Sequence, residues 1–398
     1  MLKARYFEKD LSQGFVALLS GRLVQSVADN LINLFLPIFL FIKLGHDFKK
    51  VLLFFGVSWL AYALLLPLGA QILDRIGLNR SIRIGVIFDA LTLTCFYFLD
   101  KDQSLFLSLA MVTRTLNFLL FWIPYHTDFS KFTDKEDRGR EYSLIGVVST
   151  IMGIVLPVVS GFLISRYGFH LVFILGVLLT LAVYLPYLLL PPTREKFSWN
   201  YRETLRHFFA KRNRKLVLAQ MASGAENLVG GLIWPIFIWL IMRGRYLEVG
   251  AISTLIAGVT VILQLLVGRL TDKINKRKLL RWGSLFYSFG WIVKMIIASA
   301  FQIFLAGVYH NFASIFIRTP FDSLTYELAA DQGHYVDEFT VLKEMAVQFG
   351  RVLMIILLFY LLTFISIKWT FALAALMSLA FNLIPEEELL DIRTAELA

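Results

Sequence analysis

Apolar runs of about 20 residues follow one another along this chain, separated by short polar connectors such as HDFKK, DKDQS and DKINKRK. Wound as a helix, each run is long enough to cross a hydrocarbon layer of about 30 Å. The pattern predicts twelve helical spans, at 14–43, 50–73, 81–99, 104–127, 141–165, 169–191, 214–242, 247–271, 279–300, 302–328, 339–364 and 368–384. The longest connector, Pro191 to Lys215, divides them into two groups of six. The expected organisation is therefore all-α and membrane-integral. It comprises an N-terminal six-helix bundle (1–191), a central loop (192–213), a C-terminal six-helix bundle (214–384) and a tail (385–398).

Composition agrees with the pattern. The chain is 58% hydrophobic and 17% charged, against roughly 25% charged in soluble domains. Its N-terminal segment lacks the apolar core and small-residue cleavage site of a signal peptide, so none is expected. A lone cysteine, Cys95, cannot form an internal disulfide or a cysteine-based metal site. The formal charge of +10 raises the question of nucleic acid, but its distribution answers otherwise. Of the 39 Lys and Arg, 25 fall on one set of alternate connectors and the two tails, and 8 on the opposite set. The positive-inside rule then puts both termini and the central loop in the cytoplasm of a multi-pass cell-membrane protein. The basic excess reads as topology first and lipid attraction second, with no nucleic-acid partner expected.

The chain also repeats itself. Ala28-Asp29-Asn30-Leu31 returns as Ala225-Glu226-Asn227-Leu228, and Pro37-Ile38-Phe39 as Pro235-Ile236-Phe237. Asp74-Arg75 returns as Asp272-Lys273, Pro124 as Pro320, and Glu141-Tyr142 as Glu338-Phe339. All five matches share one register, which implies two homologous halves. Halves related by an axis along the membrane normal place a substrate site between them near the midplane.

Gly69-Ala-Gln-Ile-Leu-Asp74-Arg75-Ile-Gly77-Leu-Asn-Arg80 resembles the loop signature G-x-x-x-D-R-x-G-R-R of the major facilitator superfamily. The second copy, Gly268-Arg-Leu-Thr-Asp272-Lys273-Ile-Asn275-Lys-Arg277, keeps the Gly and acid spacing but has Asn where Gly is usual. Arg114 stands mid-way along the fourth span, where that family often carries a membrane-embedded Arg. Gly153-Ile-Val-Leu-Pro157-Val-Val-Ser-Gly161 is similar to its antiporter motif, with Leu156 and Ser160 in place of two glycines. The motif pattern is nearest to proton-linked antiporters of drugs and small molecules. The resemblance implies a secondary transporter working by alternating access, with spans 1, 4, 7 and 10 lining the cavity.

Those four spans carry polar stripes. Span 1 has Arg22, Ser26, Asp29 and Asn33 at i, i+4, i+7 and i+11, with Asn30 alongside. Span 4 has Arg114 and Asn117, span 7 has Glu226 and Asn227, and span 10 has His310, Asn311, Arg318 and Asp322. Asp29 and Arg114 lie about twelve and about ten residues into their helices, which puts both near the midplane at about 1.5 Å per residue. Charges at that depth are costly, so each is a candidate functional group. Desolvation and a neighbouring guanidinium act in opposite senses on the proton of such a carboxylate. Asp29 and Glu226 are therefore candidates for proton coupling or substrate binding. The alternative is that each is a structural residue hydrogen-bonded to a neighbouring helix, as His310 is expected to be. The loop residues Asp74, Arg75, Gly77, Arg80, Asp272, Lys273 and Arg277 suit a conformational latch formed in one arrangement of the halves and broken in the other.

No phosphate-binding glycine loop and no HExxH cluster occur, so neither ATP drive, metalloprotease chemistry nor any other enzymatic activity is expected. No cofactor and no resident metal are expected either. The reading is a monomeric, proton-coupled exporter of a small organic molecule. Open beside it stand a divalent-metal carrier using Asp29, Asn30, Glu226 and His310, a lipid or lysolipid translocator, and a non-transporting receptor or scaffold.

Overall fold

The computed structural model describes residues 13–132, 138–191, 197–271, 275–330 and 336–385, and these are helical almost throughout. Inside a bilayer every backbone N–H and C=O must be satisfied within its own segment, which a helix achieves. Leu53 and Leu64, Leu178 and Leu185, and Phe286 and Phe289 all face outward, an arrangement suited to lipid rather than water. The chain is a multi-pass membrane protein.

The twelve predicted spans are present. Span 1 is α1 (Gln13–Ile32) plus α2 (Leu36–Lys43), and span 2 is α3 (Phe48–Ile76). Spans 3 and 4 are α4 (Leu78–Tyr97) and α5 (Gln103–Phe132). Spans 5 and 6 form α6 (Arg138–Leu188), interrupted at Gly168, whose φ of 77° lies in the left-handed region. A short helix, α7 (Tyr201–Phe209), sits in the segment expected to be a plain loop. Span 7 is α8 (Arg214–Leu228), a π-helical turn (Val229–Ile233) and α9 (Trp234–Ile241). Spans 8 to 11 are α10 (Tyr246–Thr271), α11 (Lys276–Lys294), α12 (Ala300–Ala330) and α13 (Val336–Leu361). Span 12 is α14 (Trp369–Leu379) with a closing 3₁₀ turn (Ala380–Leu383).

Spans 1 and 7 are both broken, at equivalent places in the repeat. Pro37 stands in the first turn of α2 and Pro235 in the first turn of α9. Proline lacks the N–H that would bond four residues back, so the helix before it cannot run through unaltered. Span 1 answers with a turn at 33–35, and span 7 with the π-helical turn.

Residues group into two compact units, 1–33 with 68–197, and 34–67 with 198–398. In the first unit α1 packs along α6, and α4 packs on α5 and α6. Its core joins Leu18, Ile82, Val86, Phe121, Val183 and Tyr187. In the second unit α8 packs on α13, and α11 on α12 and α14. The same unit takes in α2, which lies against α9, and the first part of α3. There Lys49 Nζ donates to Thr363 Oγ1 at 2.9 Å, and the Arg351 guanidinium lies over Trp59 at 4.8 Å.

The repeat shows again in packing. A Cβ on Gly85 of α4 would stand 2.9 Å from Phe121 Cβ in α5, and one on Gly283 of α11 would stand 2.1 Å from the Phe316 carbonyl in α12. Asn79 Nδ2 donates to the carbonyls of Leu190 (2.8 Å) and Pro191 at the end of span 6. Arg277 does the same at the end of span 12, from Nη1 to Ile384 (2.6 Å) and from Nη2 to Pro385. The last carbonyls of a helix have no partner of their own, and each half supplies one from the start of its third span.

Candidate functional site

Each unit carries an acid paired with an arginine, one turn before the break in its first span. In the first unit Arg22 Nη1 donates to Asp29 Oδ2 at 3.2 Å along α1, with both side chains partly exposed. The two are seven residues apart, hence on one face. The Arg22 guanidinium also lies 5.4 Å from the Trp122 ring and 6.0 Å from the Tyr125 ring of α5. Aromatic faces attract cations, so α5 holds this arginine without a second carboxylate. Asn30 Nδ2 donates back to the Ser26 carbonyl at 2.8 Å. Arg114 lies over Phe118 at 4.8 Å, and its charge acts on Asp29 together with that of Arg22. The direct partner of Asp29 is thus Arg22, on its own helix.

Asn117 is differently employed. It is 5% exposed, and its Nδ2 donates to the Gly85 carbonyl at 2.9 Å, tying α5 to α4. Asn33 lies in the turn after Asp29, and its backbone N–H donates to the Asp29 carbonyl at 2.8 Å.

In the second unit the carboxylate of Glu226 is 1% exposed and fully engaged. Tyr287 OH donates to Oε1 at 2.6 Å, and Arg318 Nη2 donates to Oε2 at 2.8 Å. Arg318 Nη2 also lies 3.3 Å from Tyr287 OH, closing a triangle across α8, α11 and α12. A buried charge survives only when paired and hydrogen-bonded, and this one is both. The His310 ring lies tilted against Tyr287 at 4.1 Å and meets Trp291 edge-on at 4.4 Å. Among the described residues its Nδ1 has no hydrogen-bond partner, and it faces Gly290, where a Cβ would come within 2.8 Å. Lys294, 2% exposed, lies 3.9 Å from the Trp291 ring and 4.2 Å from the Trp234 ring, which opens α9. Asn227 Oδ1 accepts from Arg351 Nη2 at 3.1 Å, and Arg351 Nη1 donates to Gln348 Oε1 at 3.0 Å. Gln348 in turn reaches Glu344 at 3.4 Å, joining the two charges of span 11.

The polar stripes therefore resolve into particular clusters. Glu226, His310 and Arg318 come together, while Asn311 and Asp322 make no side-chain hydrogen bond with them. Sequence reasoning placed Arg22 on the stripe of span 1 but left Tyr287, Trp291 and Lys294 outside the candidate site. The signal for the last three was present, since 287, 291 and 294 repeat at i, i+4 and i+7 on α11. Of the loop residues, Gly77 precedes α4 with φ 80°, the left-handed turn that glycine permits. Arg75 and Arg80 are exposed, and Arg277 caps the chain's last span. The side chain of Asp74, and all of Asp272 and Lys273, lie outside the described residues.

Twelve membrane helices, two repeated halves and, in the first span of each half, an acid paired with an arginine define a class of protein, the helical membrane transporter. The Major Facilitator Superfamily model matches residues 18–242, and the chain belongs to that family of secondary transporters. It is 22% identical over 369 residues to "Uncharacterized protein YqgE" of Bacillus subtilis (strain 168), covering 89% of this chain and 84% of that one. Among solved structures it is similar in fold to the peptide transporter POT in complex with sulfate, with a TM-score of 0.70 at 12% identity, over 94% of this chain and 93% of the other. A POT family transporter in complex with 5-aminolevulinic acid gives a TM-score of 0.69 at 11% identity, over 93% and 95% of the two chains.

Proposed function

We propose that this transporter couples the export of a small organic molecule to protons, with Asp29 and Glu226 as the proton-carrying groups. The observation that carries the reading is the Glu226–Arg318–Tyr287 triangle, with its counterpart at Asp29–Arg22. Each carboxylate is neutralised by one guanidinium. A proton on the carboxyl removes that attraction and frees the arginine for another partner, so a proton and a substrate group can alternate at one place. The breaks at 33–35 and 229–233 lie one turn beyond each acid. A change in either pair therefore acts beside a break in the regular helix, a place where alternating access could bend it.

The same geometry ranks the alternatives. A divalent-metal carrier needs several hard or borderline ligands around one point. Among the described residues no three His, Cys, Asp or Glu gather in that way, and Glu226 is taken up by Arg318 and Tyr287. Of the neighbours in fold, one is a peptide transporter and another is in complex with 5-aminolevulinic acid, which supports a small organic substrate here. Orientation follows the charge asymmetry, with the termini and α7 on the cytoplasmic side. The test is transport in proteoliposomes under a pH gradient of either sign, across a panel of small organic acids, amines and dipeptides. Accumulation of a panel member driven by the proton gradient supports the reading, and accumulation indifferent to pH and to Asp29→Asn overturns it.

A further inference from the structure

Outside the transport clusters, the most unusual surface is that of α7 and the chain leading into α8. Six bases are exposed between 202 and 215: Arg202, Arg206, Lys211, Arg212, Arg214 and Lys215. The only acid in that stretch, Glu203, is committed to the helix start. Its Oε2 accepts from Asn200 N–H at 2.8 Å, and its own N–H donates to Asn200 Oδ1 at 3.0 Å, a complete capping box. In the middle of the bases stands Phe209, 75% exposed.

The platform is held firmly from its other side. Phe208 is buried against Phe349 of α13, with ring centroids 5.4 Å apart. Ser198 N–H donates to the buried Glu338 Oε1 at 2.8 Å, and Asn213 Nδ2 donates to the His207 carbonyl at 2.9 Å. Trp199 and His207 stack at 4.0 Å. α7 is thus fixed with two anchors towards the protein and its arginines and Phe209 away from it. Because α8 begins at Arg214 and is a membrane span, the bases from 211 to 215 stand at the membrane boundary.

We infer that α7 and the 211–215 segment form a docking surface for anionic phospholipid headgroups, with Phe209 entering the interface between them. Each element of the fit is electrostatic or amphipathic. A basic segment beside a membrane span is drawn to an anionic leaflet, each Lys or Arg adding to the attraction. An exposed aromatic among those bases gains from the interfacial region. The pre-formed helix spends no ordering entropy on binding, since its cap and its packing on α13 already hold it.

The test uses the full chain with Cys95→Ser and Phe209→Cys, labelled at 209 with an environment-sensitive NBD fluorophore. The protein is placed in nanodiscs of phosphatidylcholine alone or mixed with phosphatidylglycerol. The expected result is a blue shift at 209 that grows with phosphatidylglycerol content and is reversed by high salt. Arg202→Gln and Lys211→Gln, made singly so that folding is retained, should each raise the phosphatidylglycerol needed for half the shift by about five-fold. Equal emission in the two lipids overturns the inference. So does a shift that salt and both substitutions leave unchanged, since that reports insertion of position 209 without headgroup recognition.

Discussion

The side chain on which most depends is Glu226, because its two oxygens organise three helices. Removing one member of a buried pair strands the other charge, at a cost of about 3–5 kcal/mol, whereas removing both is far milder. Arg318 is 37% exposed, so water relieves part of that cost and the lower end is expected. Glu226→Ala should therefore melt well below wild type in detergent, and adding Arg318→Met should restore much of the loss. Equal, additive losses would contradict the pairing. Asp29 and Glu226 were legible in the sequence as acids inside apolar spans. Arg22 was legible with Asp29 on one stripe, but Tyr287 was not, because a stripe shows which residues share a face and says nothing about which neighbour from another helix reaches them. Lys294 lies one turn from Trp291 on its own helix, but its other indole partner, Trp234, comes from α9, which only the fold brings close.

At the scale of elements, the breaks in spans 1 and 7 follow from Pro37 and Pro235, which the repeat had already aligned. The form of each break, a plain turn in one and a π-helical turn in the other, has no signature in the prolines themselves. The α8–α13 contact is set by glycine. A Cβ on Gly224 would fall 2.0 Å from the Val347 carbonyl, and one on Gly350 would fall 1.9 Å from the Met221 carbonyl, so backbone meets backbone. Gly231 in the π-helical turn has open space around it. Gly350→Ala should lower the melting temperature by several degrees, while Gly231→Ala should leave it unchanged or raise it, through the entropy of the unfolded chain. The reverse order would show that the close approach is wrong. Helix α7 escaped the span pattern because nine residues with alternating charge carry no long apolar run. Its His207 also predicts a pH effect. Partial burial, and then the Arg206 charge, push the imidazole below its usual range. The docked helix therefore prefers the neutral ring, and that preference is fully present above about pH 6.5 and is lost as pH falls through the lowered value. Amide exchange over 201–209, corrected for its intrinsic pH dependence, should become faster at pH 5.5 than at pH 7.5 in neutral lipid. His207→Gln should abolish the difference.

At the scale of the whole molecule, hydropathy alone gave twelve spans, because a bilayer leaves the backbone few choices, and matched residue motifs gave a repeat of about half the chain. The grouping into compact units was not readable from it. The first part of α3 packs with spans 7 to 12 through contacts such as Gly56 against Ile355 and Lys49 with Thr363, which local sequence does not encode. Proton coupling through paired acids is the central claim, and one measurement addresses it most directly. Wild type, Asp29→Asn and Glu226→Gln would be reconstituted at equal density on solid-supported membranes. Currents evoked by the small-molecule panel would then be recorded with and without a pH gradient. The account predicts a gradient-dependent current in wild type that both variants lose, while binding of the same compound, read by thermal shift, persists in at least one of them. Variants whose currents keep the wild-type dependence on the gradient would contradict it.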